Sequence, residues 1–137
     1  MDHDTFIGKV QQRADLASRG EADSTARAVL STLGERITEQ EAEDLESQLP
    51  TETGRHLTDD VEHAQQFGFE EFADRVAEKA EAAGVEDDPQ DASQAVAGVV
   101  AEATTGGEFR GIVSQFPQNE AYGRLLTGVE EAGASET

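Results

Sequence analysis

Four residues near the middle of the chain have side chains that bind divalent metals: His56, Asp59, Asp60 and His63. On a continuous helix either aspartate would share a face with His63, because residues three or four positions apart are neighbours. Carboxylates and imidazoles together can ligate a divalent transition metal. The alternative is a solvated polar connector between two folded segments. The sequence favours that alternative, so we predict neither a metal nor a cofactor.

No other group of residues in the sequence predicts a reaction. The chain contains no cysteine, which excludes disulfides, thiolate metal sites and cysteine nucleophiles. No serine stands in a Gly-x-Ser-x-Gly elbow, and carboxylates are so frequent that any acid–base pair would be a coincidence of composition. Gly106 and Gly107 at a helix N-terminus would suit an anion, but the neighbouring Glu108 argues against one. We therefore predict no catalytic residue and favour a non-enzymatic protein.

The charge balance is strongly acidic. The chain has 30 Asp and Glu against 10 Lys and Arg, a net charge of -20 on 137 residues. The charge is spread evenly, with a net -9 on residues 1–66 and -11 on residues 67–137. Molar salt shortens the Debye length to ~3 Å and screens such self-repulsion. The composition therefore predicts a cytoplasmic protein adapted to high salt, with monovalent cations and water at its surface.

The same composition excludes several classes of partner. No basic patch exists to displace counterions from phosphates, so we predict no binding to nucleic acid or to an anionic membrane. The N-terminus has no signal-peptide pattern, and the longest apolar stretch, residues 96–101, is too short to span a bilayer. A protein partner or self-association is the interaction that remains.

Apolar residues recur at helical spacing through most of the chain. Thr38 and Thr105 each open a capping box, and Asp88 is an N-cap before a proline. Gly20 separates the first two helices, and Gly84 is predicted to end the helix before it. In order, the predicted helical segments cover about 4–17, 21–36, 39–49, a turn near 55–57, then 69–83, 89–103, 109–116 and 121–129.

Two stretches of the chain are copies of each other. Shifting residues 26–50 by 67 positions onto residues 93–117 gives 8 identities in 25 positions, where composition alone would give about two. In the second copy Leu125 replaces His56, so this position serves packing without an imidazole. Glu35 and Glu102 are equivalent in the two copies, and we expect such charged pairs to bridge helices or to line the contact between the copies.

The duplication predicts an all-α fold. Two tandem four-helix repeats should pack with pseudo-twofold symmetry into one compact helical domain, because each repeat alone buries too little core. The predicted single domain covers residues 1–129, with repeat one at about 4–57, a connector at about 58–68, repeat two at about 69–129, and a frayed acidic tail at 130–137.

The apolar stripes of the predicted helices also specify a core. Corresponding stripes in the two copies should face each other and exclude water. The side chains predicted to be buried are Phe6, Val10, Val29, Leu33 and Leu49 in the first copy, and Phe72, Val76, Val96, Val100 and Phe116 in the second.

Three segments resemble a known family. They are the run ARAVLSTLGERI at residues 26–37, the pattern EAxxLxxQLP at residues 41–50, and EFxxRVAE at residues 71–78. Together they resemble bacterial and archaeal proteins of domain-of-unknown-function family 2267. The resemblance implies a small all-helical protein and brings no established reaction.

The sequence thus favours a protein-interaction or scaffold protein without enzymatic activity. The alternative is a ligand- or metal-binding helical bundle that uses the cleft between the repeats. An exposed apolar groove or converging polar groups between the copies would distinguish the two hypotheses.

Overall fold

The helical spacing of apolar residues produces nine α-helices and two 3₁₀ turns in the computed structural model, which describes residues 1–80, 83–104 and 107–135. No strand occurs in these residues, and none of their helices is long and apolar enough to cross a membrane. The elements are α1 (His3–Arg13), α2 (Arg19–Arg36), α3 (Glu39–Gln48), α4 (Thr51–Gly54), the first 3₁₀ turn (Arg55–Leu57), α5 (Phe69–Lys79), α6 (Ala83–Asp87), α7 (Pro89–Ala103), α8 (Glu108–Ser114), the second 3₁₀ turn (Gln118–Glu120) and α9 (Gly123–Ser135).

Side-chain caps fix the start of two helices as the sequence predicts. The Thr38 hydroxyl accepts from the Glu41 backbone N–H at 3.1 Å, and the Glu41 carboxylate accepts from the Thr38 backbone N–H at 2.9 Å. This reciprocal pair confirms the capping box before α3. The Asp88 carboxylate accepts from the Asp91 N–H at 3.1 Å, with Pro89 as the first residue of α7.

The boundary between α1 and α2 differs from the prediction. The helix α1 ends at Arg13, and Asp15 adopts a left-handed backbone with φ 53°. The Ser18 hydroxyl then accepts from the Glu21 N–H at 3.2 Å and caps α2. Gly20 therefore lies inside α2, and the prediction that it separates two helices is wrong.

In the second half of the chain, one helix ends earlier than predicted and another begins after a left-handed glycine. The helix α5 ends at Lys79 because Ala80 is extended, so Gly84 lies within α6 and is not the predicted end of α5. The helix α8 follows Gly107, whose φ of 69° is left-handed and suits a glycine. The second predicted capping box depends on Thr105, which lies outside the described residues.

One hydrophobic core unites the two halves of the described chain. Nine of the ten residues predicted to be buried are buried, and Phe116 is the exception. Its ring packs at the edge of the core and is only partly buried, with the Arg36 guanidinium over one face at 4.6 Å from ring centroid to Cζ. The Phe116 ring also contacts the Tyr122 ring, and the two ring centroids are 4.7 Å apart. Phe116 thus joins the core to a charged group at its edge.

The segment between the first 3₁₀ turn and α5 covers the carboxyl end of α2. The Ala64 N–H donates to the Ile37 carbonyl at 2.7 Å, and the Gln65 N–H donates to the Glu35 carbonyl at 2.8 Å. A helix leaves its last carbonyls without partners inside the helix. Phe67 in the same segment is buried. The segment is therefore packed structure, unlike the solvated connector that the sequence favours.

Candidate functional site

A polar cleft of about 370 Å³ lies between α2, the first 3₁₀ turn and the end of α5. The helix α2 contributes residues spaced three, four and seven positions apart, which places them on one helical face. Of the four candidates from the sequence, His56 and Asp59 line this cleft. The full lining is Ser24, Arg27, Ala28, Ser31, His56, Asp59 and Lys79.

Close backbone packing holds the 3₁₀ turn against α2. A Cβ atom added to Gly34 would lie 2.3 Å from the Leu57 carbonyl oxygen, so only glycine permits this approach. The Leu57 side chain is fully buried on the core side. His56, the residue before it, is thereby held at the wall of the cleft.

Lys79 reaches the cleft from the other half of the chain. Its ammonium group donates to the hydroxyls of Ser31 and Thr32 at 3.2 and 3.1 Å, and to the Glu35 carboxylate at 2.8 Å. A lysine ammonium has three hydrogens, so these bonds use all of them. Since Ser31 accepts from Lys79, its own O–H remains free to donate into the cleft.

Two guanidinium groups compensate the carboxylates of the cleft. Arg55 Nε lies 3.0 Å from Asp59 Oδ2, and an Arg27 terminal nitrogen lies 3.7 Å from Asp23 Oδ2. Arg27 makes no hydrogen bond within the described part of the chain, and its side chain is 61% exposed. Its planar donors are therefore available to a ligand.

The His56 imidazole is half-buried and has charged side chains of both signs nearby. Partial burial, followed by the charges of Arg27 and Arg55, lowers the pKa of His56, while Asp23 and Asp59 oppose this shift more weakly. The ring forms no hydrogen bond to a residue that the structure describes. The lowered pKa therefore reflects mainly the partial burial of the ring rather than its charged neighbours.

The four predicted metal candidates are separated. His63 turns away from the cleft, and its Nδ1–H donates to the Gly34 carbonyl at 2.8 Å. Asp60 has a left-handed φ of 57° and does not line the cleft. Among the described residues, no three His, Asp or Glu side chains come together in a way that could hold a metal ion. The structure thus leaves His63 as a cap of α2.

A second cleft, of about 310 Å³, lies where the end of α2 meets the region after α8. Arg36 forms an ion pair there with Glu120, and the two side chains are 10% and 18% exposed. The Arg36 Nε also donates to the Phe67 carbonyl at 3.1 Å. Because Arg36 is committed to these contacts and to Phe116, its role is to join segments of the fold.

Two glutamates each bind a pair of cations on a distant helix. Glu35 of α2 contacts Arg75 and Lys79 of α5, at 3.4 and 2.8 Å. Glu102 of α7 contacts Lys9 of α1 at 2.9 Å and also pairs with Arg13. Partial burial alone would raise the pKa of Glu102, but hydrogen bonds and charges from the two cations outweigh it and lower that pKa. These are the helix bridges expected of Glu35 and Glu102.

All of the cationic side chains take part in intramolecular ion pairs, although the pair of Arg27 leaves its N–H groups without a hydrogen bond in the described chain. Each of the ten Lys and Arg residues, all of which lie in the described part of the chain, is within 4 Å of a carboxylate. Nine carboxylates serve as their partners, so most of the 30 Asp and Glu residues are left for the surface. The described surface exposes one large apolar side chain, that of Met1.

Sequence reasoning missed most of the cleft. The three-, four- and seven-residue spacing of Ser24, Arg27 and Ser31 is readable from the sequence, but it looks like any polar face of a surface helix. The contribution of Lys79 depends on where α5 ends against α2, which no local pattern specifies. His56 and Asp59 were found because of their residue types alone.

A small all-α protein with a polar cleft between helices is the class that this geometry defines. Residues 3–121 match the model of a family described as an uncharacterized conserved protein, DUF2267. Because the match covers most of the chain, the chain belongs to this family, as the sequence resemblance indicates. A comparison with curated proteins found no significant match.

Proposed function

We propose that the protein is a non-enzymatic interaction or scaffold protein, adapted to a high-salt cytoplasm, that contacts a protein partner through a surface rich in carboxylates. The observation that carries this proposal is the use of all ten cations in intramolecular ion pairs. The groups left for an outside contact are mainly carboxylates, and large apolar side chains are nearly absent from the described surface. Such a surface suits a partner that presents Lys and Arg.

Two groups with shifted pKa values, Glu102 and Tyr122, have structural roles. Glu102 lies between two cations, and burial raises the pKa of Tyr122, whose hydroxyl donates to the Phe67 carbonyl at 3.0 Å. Neither residue lines the polar cleft, where His56 is the one described group with a shifted pKa. Perturbed groups in a catalytic site would instead converge on a cavity.

The tandem-repeat architecture is part of the same proposal. The helices α1 and α5 have equal lengths of 11 residues, and α5 begins 66 positions after α1. The two cation pairs, Lys9 with Arg13 and Arg75 with Lys79, have the same 66-residue offset. Each pair binds the glutamate of the opposite repeat, Glu102 or Glu35. This reciprocal exchange supports packing of the repeats about a pseudo-twofold axis.

Native mass spectrometry of the protein purified from its own cells tests the partner proposal. We expect the 14.6 kDa chain to be recovered with a second polypeptide or a second copy in a fixed ratio. A chain recovered only as a monomer, or with a stoichiometric metal ion, would contradict the proposal. A spectrum with a stoichiometric metal ion would support the metal-binding alternative instead.

A second candidate function is ligand binding in the polar cleft. The observation that favours it is the convergence of Arg27, Ser31 and His56 with Lys79, a residue from the other predicted repeat. Converging polar groups between the copies are the feature expected of a ligand-binding bundle.

A further inference from the structure

We infer that the polar cleft binds the phosphate group of a small phosphorylated molecule. The donors are the guanidinium of Arg27, the hydroxyl of Ser31 and the ring of His56. This inference rests on the ligand-binding candidate above and is independent of the proposed protein partner.

The donor set matches a tetrahedral oxyanion. Arg27 has unused planar N–H groups, which are suited to two phosphate oxygens at once. The Ser31 oxygen already accepts from Lys79, so its hydrogen is available to donate to a ligand. The His56 ring has no hydrogen-bond partner among the described residues and adds a third donor. The three groups lie on two elements that Gly34 holds together.

The charges around His56 are balanced before a ligand binds. Arg27 and Asp23 act on the ring from α2. Arg55, in the 3₁₀ turn, and Asp59, just after it, act from the other side. Lys79 of α5 lines the same cleft and is paired with Glu35 of α2. Three cations thus meet three carboxylates, and protonation of His56 adds one positive charge. A bound dianion favours the protonated ring, so binding and protonation of His56 must reinforce each other.

The size of the cleft indicates a small ligand. A volume of about 370 Å³ lies near the lower end of the range for small-molecule pockets, roughly 300–1,000 Å³. A phosphate group with a few attached carbon atoms fits this volume. The second cleft offers no such site, because the cation that lines it, Arg36, is paired with Glu120.

The test is an NMR titration of the histidine rings of the full chain in molar KCl, with inorganic phosphate and glycerol phosphate as probes. Both probes should raise the pKa of His56 and leave His63, which donates to the Gly34 carbonyl, unchanged. Binding of glycerol phosphate together with inorganic phosphate supports a phosphorylated molecule as ligand. Binding of inorganic phosphate alone would overturn the assignment to a phosphorylated molecule.

A matched pair of variants identifies the site. Arg27→Gln should weaken phosphate binding about tenfold or more, as expected for loss of a charged hydrogen-bond donor. Arg110→Gln removes the same charge from an exposed pair with Glu130 and should leave binding unchanged. Sulfate, a dianion throughout the titration range of histidine, should bind more tightly as the pH falls. Equal effects of the two variants, or equal shifts of His56 and His63, would overturn the inference without affecting the proposed protein partner.

Discussion

His56 and His63 have different roles although the sequence places them in one cluster. His56 faces the cleft with a free ring, whereas His63 donates to the Gly34 carbonyl at the end of α2. The sequence could suggest that the two rings share a site, because their spacing suits one helix face. The structure separates them because Asp60 adopts a left-handed backbone and the chain turns back along α2.

The two histidines should therefore respond differently to substitution. His63→Ala leaves a partly buried carbonyl without its donor and should lower the free energy of unfolding by about 1 kcal/mol. His56→Ala removes no hydrogen bond within the described chain and should change it by less than about 0.5 kcal/mol. Urea unfolding of both variants measures the difference. Equal losses would show that the cap on α2 is not formed.

Glu102 and Glu35 are partly buried carboxylates that join distant helices. Their side chains are 13% and 22% exposed, and each serves two cations. Removing Glu102 would leave Lys9 and Arg13 without a carboxylate partner in the described chain, and removing Glu35 would leave Arg75 with Glu71 alone. Glu43 is exposed and contacts neither of these cation pairs, so it is a suitable control.

Glu102→Gln and Glu35→Gln should each lower the free energy of unfolding by about 1–3 kcal/mol at neutral pH relative to Glu43→Gln, because each removes a partly buried carboxylate that serves two cations. The pKa of Glu102 is lowered in the fold. Its contribution is therefore complete above the ordinary pKa of glutamate and is lost as the pH falls through the folded value.

Unfolding midpoints of the three variants across this acidic range provide the measurement. The difference between Glu102→Gln and Glu43→Gln should disappear toward low pH. A difference that stays constant with pH would contradict the ion-pair account of Glu102.

At the scale of elements, the sequence predicts helices well where a side chain caps them. Thr38 and Asp88 mark the starts of α3 and α7 because their hydrogen bonds are local. The predicted ends of α1 and α5 lie too far along the chain. The apolar spacing continues past both ends, but the backbone of Asp15 and of Ala80 is not helical. The sequence also could not show that residues 58–68 cap α2, because that contact depends on tertiary packing.

The contact of the first 3₁₀ turn with α2 yields a prediction at this scale. Gly34→Ala places a Cβ atom against the Leu57 carbonyl and should destabilise the fold by about 1–3 kcal/mol. Gly8→Ala, in α1, meets no atom within 4 Å and should stabilise the fold by about 0.5–1 kcal/mol. Thermal unfolding of both variants tests the contact, and a neutral Gly34→Ala would show that the turn lies further from α2.

At the scale of the whole molecule, the all-α class and the core were predictable because apolar periodicity survives an acidic composition. The prediction failed for Phe116, whose ring is shared between the core and Arg36. The cleft was less predictable, because Lys79 enters it from a distant part of the chain. The excess of carboxylates on the surface was predictable from composition, because the few cations can pair with only some of them.

The central claim, that this protein is built for high salt, is tested most directly by its melting temperature as a function of KCl. Screening should weaken repulsion among the surplus carboxylates more than it weakens the partly buried ion pairs. The melting temperature should therefore rise by at least about 5 °C between millimolar and molar KCl, equivalent to roughly 1 kcal/mol for a domain of this size. A melting temperature that stays constant or falls over that range would contradict the account.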